Sequence, residues 1–274
     1  MKSRQYLAIA ALALLLPGWI SLAQAAPAAK LWARWSAFNP DSSATISHKV
    51  WNYWLGRYVF ADPGGINLVA YGSVTQADRK RLKTYIAELT SLQISNYNRA
   101  QQRAYWINLY NALTIDLVLD NYPLSSIRDI SSGLFSSGPW RLKLARIEGE
   151  QLTLDDIEHR ILRPIWKDPR IHYAVNCASL GCPRLQSKAF TAENTEALLE
   201  TSATEFINSD HGARIAGNRL RVSSIYDWFE QDFGGSEATV ISHLRQYAVG
   251  DLANALEAIT GIDDYDYDWR INAR

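Results

Sequence analysis

The sequence predicts an α+β domain in which helices pack on a small, largely antiparallel sheet. Two long segments recur with helical spacing, while several short segments alternate apolar and polar residues between turn-forming residues. No repeat, low-complexity tract or long linker divides the chain, so residues 26–274 read as one domain.

The first helix signal is Thr75-Gln-Ala-Asp78, a capping-box-like start. Leu82, Tyr85, Ile86, Leu89 and Leu92 then recur on one face of an amphipathic surface helix. Residues 100–120 differ, because Tyr105, Trp106, Ile107, Leu109, Tyr110, Leu113 and Ile115 surround the cylinder almost completely before Pro123 stops it. That pattern predicts a central buried helix. Trp140 to Ile147 reads as a strand entering a turn at Glu148-Gly149-Glu150, and Thr153-Leu-Asp-Asp156 caps a short helix that Pro164 should end. Ile171 to Asn176 alternates as a half-buried strand, with His172, Ala174 and Asn176 on its polar face. Helices are expected over 192–208, 225–233, 237–248 and 251–259, a hairpin through Ala216-Gly217-Asn218, and a closing strand through Tyr265, Tyr267 and Trp269.

Ahead of this domain, residues 1–25 have the three parts of an export signal. Lys2 and Arg4 lead, an apolar run from Tyr6 to Leu16 follows, and Ala23-Gln24-Ala25 supplies small residues for cleavage after Ala25. The run falls short of the ~20 residues that span a bilayer, and Pro17-Gly18 interrupts it. A periplasmic or secreted protein without stable membrane insertion is the expectation. The chain balances 28 basic against 28 acidic residues, and nothing in that balance draws it to nucleic acid. A small ligand, a peptide or an envelope protein is the expected class of partner. No cofactor motif appears: a phosphate-cradling glycine loop, a nucleophile-elbow serine and a metal-binding H-E-x-x-H helix are all missing.

Three constellations carry the candidate chemistry. On the central helix Asn108, Asn111 and Thr114 fall three apart, a polar stripe on an apolar cylinder, with Tyr110 beside it. A buried amide left unpaired costs roughly 1–3 kcal/mol, so the stripe should be paired internally or line a cleft. Glu158, His159 and Arg163 form the second set, in which His159 and Arg163 are neighbours at i, i+4. Salt bridging on a helix surface is the ordinary reading of such residues, and a catalytic carboxylate or imidazole the sharper one. The third set runs from His172 through Asn176, Cys177 and Gly181 to Cys182-Pro183 and holds both cysteines of the chain. After export, a structural disulfide between Cys177 and Cys182 is the first expectation. A reactive Cys177 thiolate with His172 as base is the second, and zinc held by His172, Cys177, Cys182 and His159 the third.

At these residues the chain resembles the family called domain of unknown function 547. The resemblance rests on Tyr105-Trp-Ile-Asn-Leu-Tyr-Asn-Ala112, Leu152-Thr-Leu-Asp-Asp-Ile-Glu-His-Arg-Ile-Leu-Arg163, His172-Tyr-Ala-Val-Asn-Cys-Ala-Ser-Leu-Gly-Cys-Pro183 and Ile225-Tyr-Asp-Trp-Phe-Glu-Gln-Asp-Phe233. These blocks span about residues 95–235 in the family's order. The association of plant relatives with glutaredoxin-like segments points toward thiol chemistry. A buried helix followed by a histidine-bearing segment is also similar to the papain and transglutaminase plan, in which the helix start carries a cysteine. This chain departs there, offering Asn108, Tyr110 and Asn111 instead.

The leading functional expectation is a binding or scaffolding domain of the cell envelope whose aromatic-lined groove is built from the central helix, the His172 strand and the Glu158 helix, with ten Trp and fourteen Tyr in the chain to line it or fill the interior. One alternative is a cysteine-dependent hydrolase or transferase using Cys177, His172 and either Glu158 or Asn111. The other is a thiol–disulfide exchange protein using Cys177 and Cys182.

Overall fold

The computed structural model describes residues 26–130 and 138–274, so the expected export signal lies outside the described residues. Helix α1 (Lys49–Tyr58) runs into a short hairpin of β1 (Val59–Ala61) and β2 (Asn67–Val69). Helix α2 (Gln76–Ser91) follows, its start capped where Thr75 Oγ1 accepts the Asp78 N–H. Helix α3 (Arg99–Asn121) is the central buried helix that its nearly all-round apolar pattern predicts. Strands β3 (Ala145–Ile147) and β4 (Glu150–Leu152) form a second hairpin. After a short α4 (Arg163–Trp166), helix α5 (Thr195–Ile207) leads to β5 (Ala213–Ala216) and β6 (Arg219–Ser223). Their hairpin turns at Gly217, whose φ of 63° suits a residue without a Cβ. After α6 (Ile225–Trp228), α7 (Glu237–Tyr247) and α8 (Gly250–Leu256), strand β7 (Asp264–Asp266) adds parallel to β6. The result is an α+β fold with small sheets of two and three strands.

Buried apolar residues form two clusters that meet at the 170s. Ile171 belongs to the cluster around α3, whereas Tyr173 belongs to the cluster of α5, β6 and α7. That position corrects the expected strand at 171–176. Pro169–Tyr173 is instead a 3-10 helix, opened by Asp168, whose carboxylate accepts the Arg170 N–H. Proline at its first turn is pre-set for helical φ. Residues 171–176 are all buried, so the apparent alternation marked no solvent face.

Pro164 is the second correction. Thr153 and Asp156 form the expected reciprocal cap, yet the helix runs through Pro164 as a π-helical segment, Asp156–Leu162, continued by α4 (Arg163–Trp166). The Arg163 N–H reaches back to the Glu158 carbonyl, one residue further than in an α-helix, and Pro164 has no N–H to give Arg160. The freed carbonyls of His159 and Arg160 accept the N–H groups of Lys30 and Trp32, at 2.9 and 3.0 Å. A proline that deletes one intrahelical bond is tolerated because the N-terminal segment supplies the missing donor. At 225–233 the expected single helix is shorter, since a 3-10 turn, Glu230–Phe233, follows α6.

Candidate functional site

The polar stripe of α3 holds the neighbouring loops. Asn108 donates to the Phe190 carbonyl at 2.7 Å and accepts the Phe190 N–H at 3.1 Å. One turn on, Asn111 donates to the Ala174 carbonyl and accepts the Asn176 N–H, both at 2.8 Å. Each amide replaces a backbone partner for chain that cannot join a sheet, which is why polar side chains sit in an otherwise apolar helix. Thr114 bonds back to the Tyr110 carbonyl.

Asn111 thereby anchors the cysteine loop. Asn176 extends the anchor, donating to the Pro183 carbonyl at 2.7 Å and accepting the Ala178 N–H at 2.8 Å. Ala178 takes a φ of 61°, a costly conformation for a residue with a Cβ, and the Asn272 N–H fixes its carbonyl at 3.0 Å. The C-terminal tail runs along the loop, with the N–H groups of Leu180 and Gly181 donating to the carbonyls of Arg270 and Asp268 at 2.8 Å. A Cβ on Gly181 would lie 2.6 Å from the Asp268 nitrogen, so close passage of the tail requires glycine here.

Inside this loop the two cysteines are free thiols, and the expected disulfide is not formed in the structure. The Cys182 sulfur instead accepts the Cys177 N–H at 2.9 Å. Cys177 Sγ lies 3.1 Å from Ser179 Oγ and 2.9 Å from the Tyr267 hydroxyl, which are themselves 2.9 Å apart. Burial alone would raise the Cys177 thiol. Hydrogen bonds from Cys182, Ser179 and Tyr267 outweigh burial and bring it down to about 7. Cys182 is pushed well up, first by burial and then by the thiolate beside it. The phenols of Tyr71, Tyr110 and Tyr267 are also pushed well up, by burial and then by nearby negative charge that includes Cys177, so they remain donors.

The second constellation gathers on the π-helical segment. His172 Nε2 lies 2.7 Å from Asp232 Oδ2, and its Nδ1 lies 3.7 Å from Glu158 Oε1. Arg163 donates to the same Asp232 oxygen at 2.5 Å, to the Pro27 carbonyl at 2.6 Å, and lies 2.9 Å from His159 Nδ1. Burial would raise Asp232, but the His172 and Arg163 bonds hold it well below the usual carboxylate range. Burial keeps His159 neutral, its imidazole lowered to about 4, while burial and the Glu158 charge raise Asp155 to about 6. Phe229 stacks on His172 at 4.3 Å, with the Arg163 guanidinium 4.7 Å from the same ring.

His172, Glu158, His159 and Arg163 therefore converge, as do Asn111, Asn176, Cys177 and Cys182. Tyr110 lies between the groups, hydrogen-bonded to Glu158 and within the field of both cysteines. The structure does not bring His172 to Cys177, because the imidazole is held by Asp232 and Glu158 and the thiol by Ser179 and Tyr267. Among the described residues no group of three or more His, Cys, Asp or Glu is placed to hold a metal ion. Nor is any helix among them long and apolar enough to cross a membrane.

Sequence reasoning missed Asp232, Phe229, Ser179, Tyr267 and Asn272 as site residues. Tyr267 was legible only as one of three aromatics alternating with aspartates, and nothing local announced its meeting with a cysteine ninety residues earlier. Tyr267 also opens a cluster of half-buried rings, with centroids 4.8 Å from Trp228 and 4.5 Å from Trp269. Trp140 lies 5.8 Å from Trp269 on its far side.

Fold and site together define an α+β domain whose central helix anchors a loop of two unequal thiols. Residues 94–207 match the model of the family described as "Protein of unknown function, DUF547", a match that supports membership of that family over this segment. The matched segment holds α3, the π-helical segment and the cysteine loop, and ends before the Ile225–Phe233 block that carries Asp232. No curated protein and no solved structure matches the chain.

Proposed function

We propose that the chain is a thiol–disulfide exchange protein, with Cys177 as the attacking and Cys182 as the resolving thiol. The observation that carries this reading is the inequality of the pair. Cys177 is half-buried, ringed by hydroxyl donors and lowered to about 7, whereas Cys182 is buried and raised. A thiol that titrates near ambient pH is the effective nucleophile of an exchange couple.

The Cys177 thiolate attacks one sulfur of a partner disulfide. A bond forms between Cys177 and that sulfur as the partner's own S–S bond breaks, and the released thiolate takes a proton from solvent. The Cys182 thiol then loses its proton and attacks Cys177 Sγ, closing the intramolecular disulfide and releasing the partner's second thiolate. Two electrons pass to the partner, and a partner dithiol reverses the sequence. Export behind residues 1–25 would put the pair in a periplasmic or secreted setting, where disulfide partners are available.

A cysteine hydrolase or transferase would need His172 at the thiol, and its hydrogen bond to Asp232, with the Glu158 carboxylate 3.7 Å from its other nitrogen, favours exchange over that reading. A partner would dock on the half-buried rings of Trp140, Trp228 and Trp269 beside Tyr267. The test is incubation of the Cys182→Ser and Cys177→Ser variants with glutathione disulfide, followed by intact mass. Cys182→Ser should accumulate one glutathione on Cys177 and Cys177→Ser none. Equal labelling of both variants, or none in either, would overturn the assignment of roles.

A further inference from the structure

Beyond the thiol pair, the π-helical segment and α4 present a second set of groups with recognition geometry. A helix normally spends its carbonyls on itself, but here those of His159 and Arg160 point outward and accept the N–H groups of residues 30 and 32. That spacing is the alternate-residue register of an extended chain. Arg163 fixes the same chain upstream through the Pro27 carbonyl at 2.6 Å. Arg160, held by Asp156 at 2.8 Å, lies over the Trp32 ring at 4.3 Å. Residues 27–31 are otherwise exposed, and Trp35, which follows, is buried against Trp106.

We propose that this face is a binding site for an extended polypeptide and that residues 27–32 occupy it in cis. Its ligand is defined by three contacts: a carbonyl for Arg163, two N–H groups two residues apart for the freed helix carbonyls, and an aromatic ring for Arg160. Residues 27–31 are displaceable because they are held by these polar contacts, whereas the half-buried Trp32 packs beside Trp35 at 5.9 Å and Trp35 keeps the following chain in the core. Displacement exposes Arg163, the residue that shares Asp232 with His172, so occupancy of the face governs access to that buried cluster.

The experiment uses the full chain and two proline variants. Lys30→Pro removes the N–H given to His159, while Leu31→Pro introduces the same ring at a residue whose N–H takes no part. The probe is a fluorescent peptide with the sequence of residues 26–36, read by anisotropy, alongside hydrogen exchange of the Trp32 amide. The peptide should bind Lys30→Pro at least about fivefold more tightly than the parent or Leu31→Pro, and the Trp32 amide should exchange faster in Lys30→Pro by a similar factor. Three results would overturn the proposal. They are equal peptide binding by all three proteins, Trp32 protection in Lys30→Pro equal to that of core amides, and loss of the fold in Lys30→Pro, which would make the segment part of the core.

Discussion

At the scale of single residues, the Cys177 thiol is governed by donors rather than by a base. Ser179 and Tyr267 each place a hydroxyl within about hydrogen-bonding reach of its sulfur. The thiolate should therefore form without His172, and the rate of Cys177 alkylation should rise with pH around a midpoint near 7. Tyr267→Phe removes one donor and should move that midpoint upward while the fold persists. An unchanged midpoint by rapid-quench iodoacetamide labelling would remove Tyr267 from the account. His172→Asn should leave the midpoint in place, since no bond joins the imidazole to the thiol. A shift as large as that of Tyr267→Phe would restore the hydrolase-like pairing.

At the scale of elements, α3 carries the loop and the π-helical segment carries the carboxylates. Asn111→Leu would leave the Asn176 N–H and the Ala174 carbonyl buried without their partner. The expected loss is about 2–4 kcal/mol in urea unfolding, with a loosened cysteine loop. A loss below about 1 kcal/mol would show that water or repacking replaces the amide. The reason for this anchor was legible in the sequence, because three polar residues on an apolar cylinder needed partners. The 3-10 helix at Pro169–Tyr173 was not legible: a run of buried residues between two cores shows the same alternation as a strand. Pro164 was read as a stop because the donor that compensates for it lies more than 130 residues upstream.

At the scale of the whole molecule, His48, His159 and His243 are each lowered to about 4, chiefly by burial. The unfolded chain binds protons at these imidazoles below about 6.5, while the folded chain does not until about 4. Stability from the three is complete above pH 6.5 and is lost as pH falls toward 4. Asp155, raised to about 6, works in the opposite sense, since its protonated form is favoured in the fold as pH falls. Three imidazoles against Asp155 and Asp116, the latter also raised by burial, should give a melting temperature that drops between pH 6.5 and 4, and a flat calorimetric profile would contradict the burial of these imidazoles. The α+β class, the helices α2, α3, α5 and α7 and the β5–β6 hairpin were all readable from periodicity and turn residues. The meeting of loop, tail and α3 was not, because it depends on contacts between segments distant in sequence, such as Asn272 with Ala178. The most direct test of the central claim is equilibration of the purified protein in graded glutathione buffers, followed by acid quench, alkylation and mass spectrometry. Two alkylated thiols are expected at the reducing end, a Cys177–Cys182 disulfide at the oxidising end, and a midpoint above about −300 mV, where glutathione can open the bond. Two free thiols at every poise, or a bond that glutathione never opens, would contradict that claim.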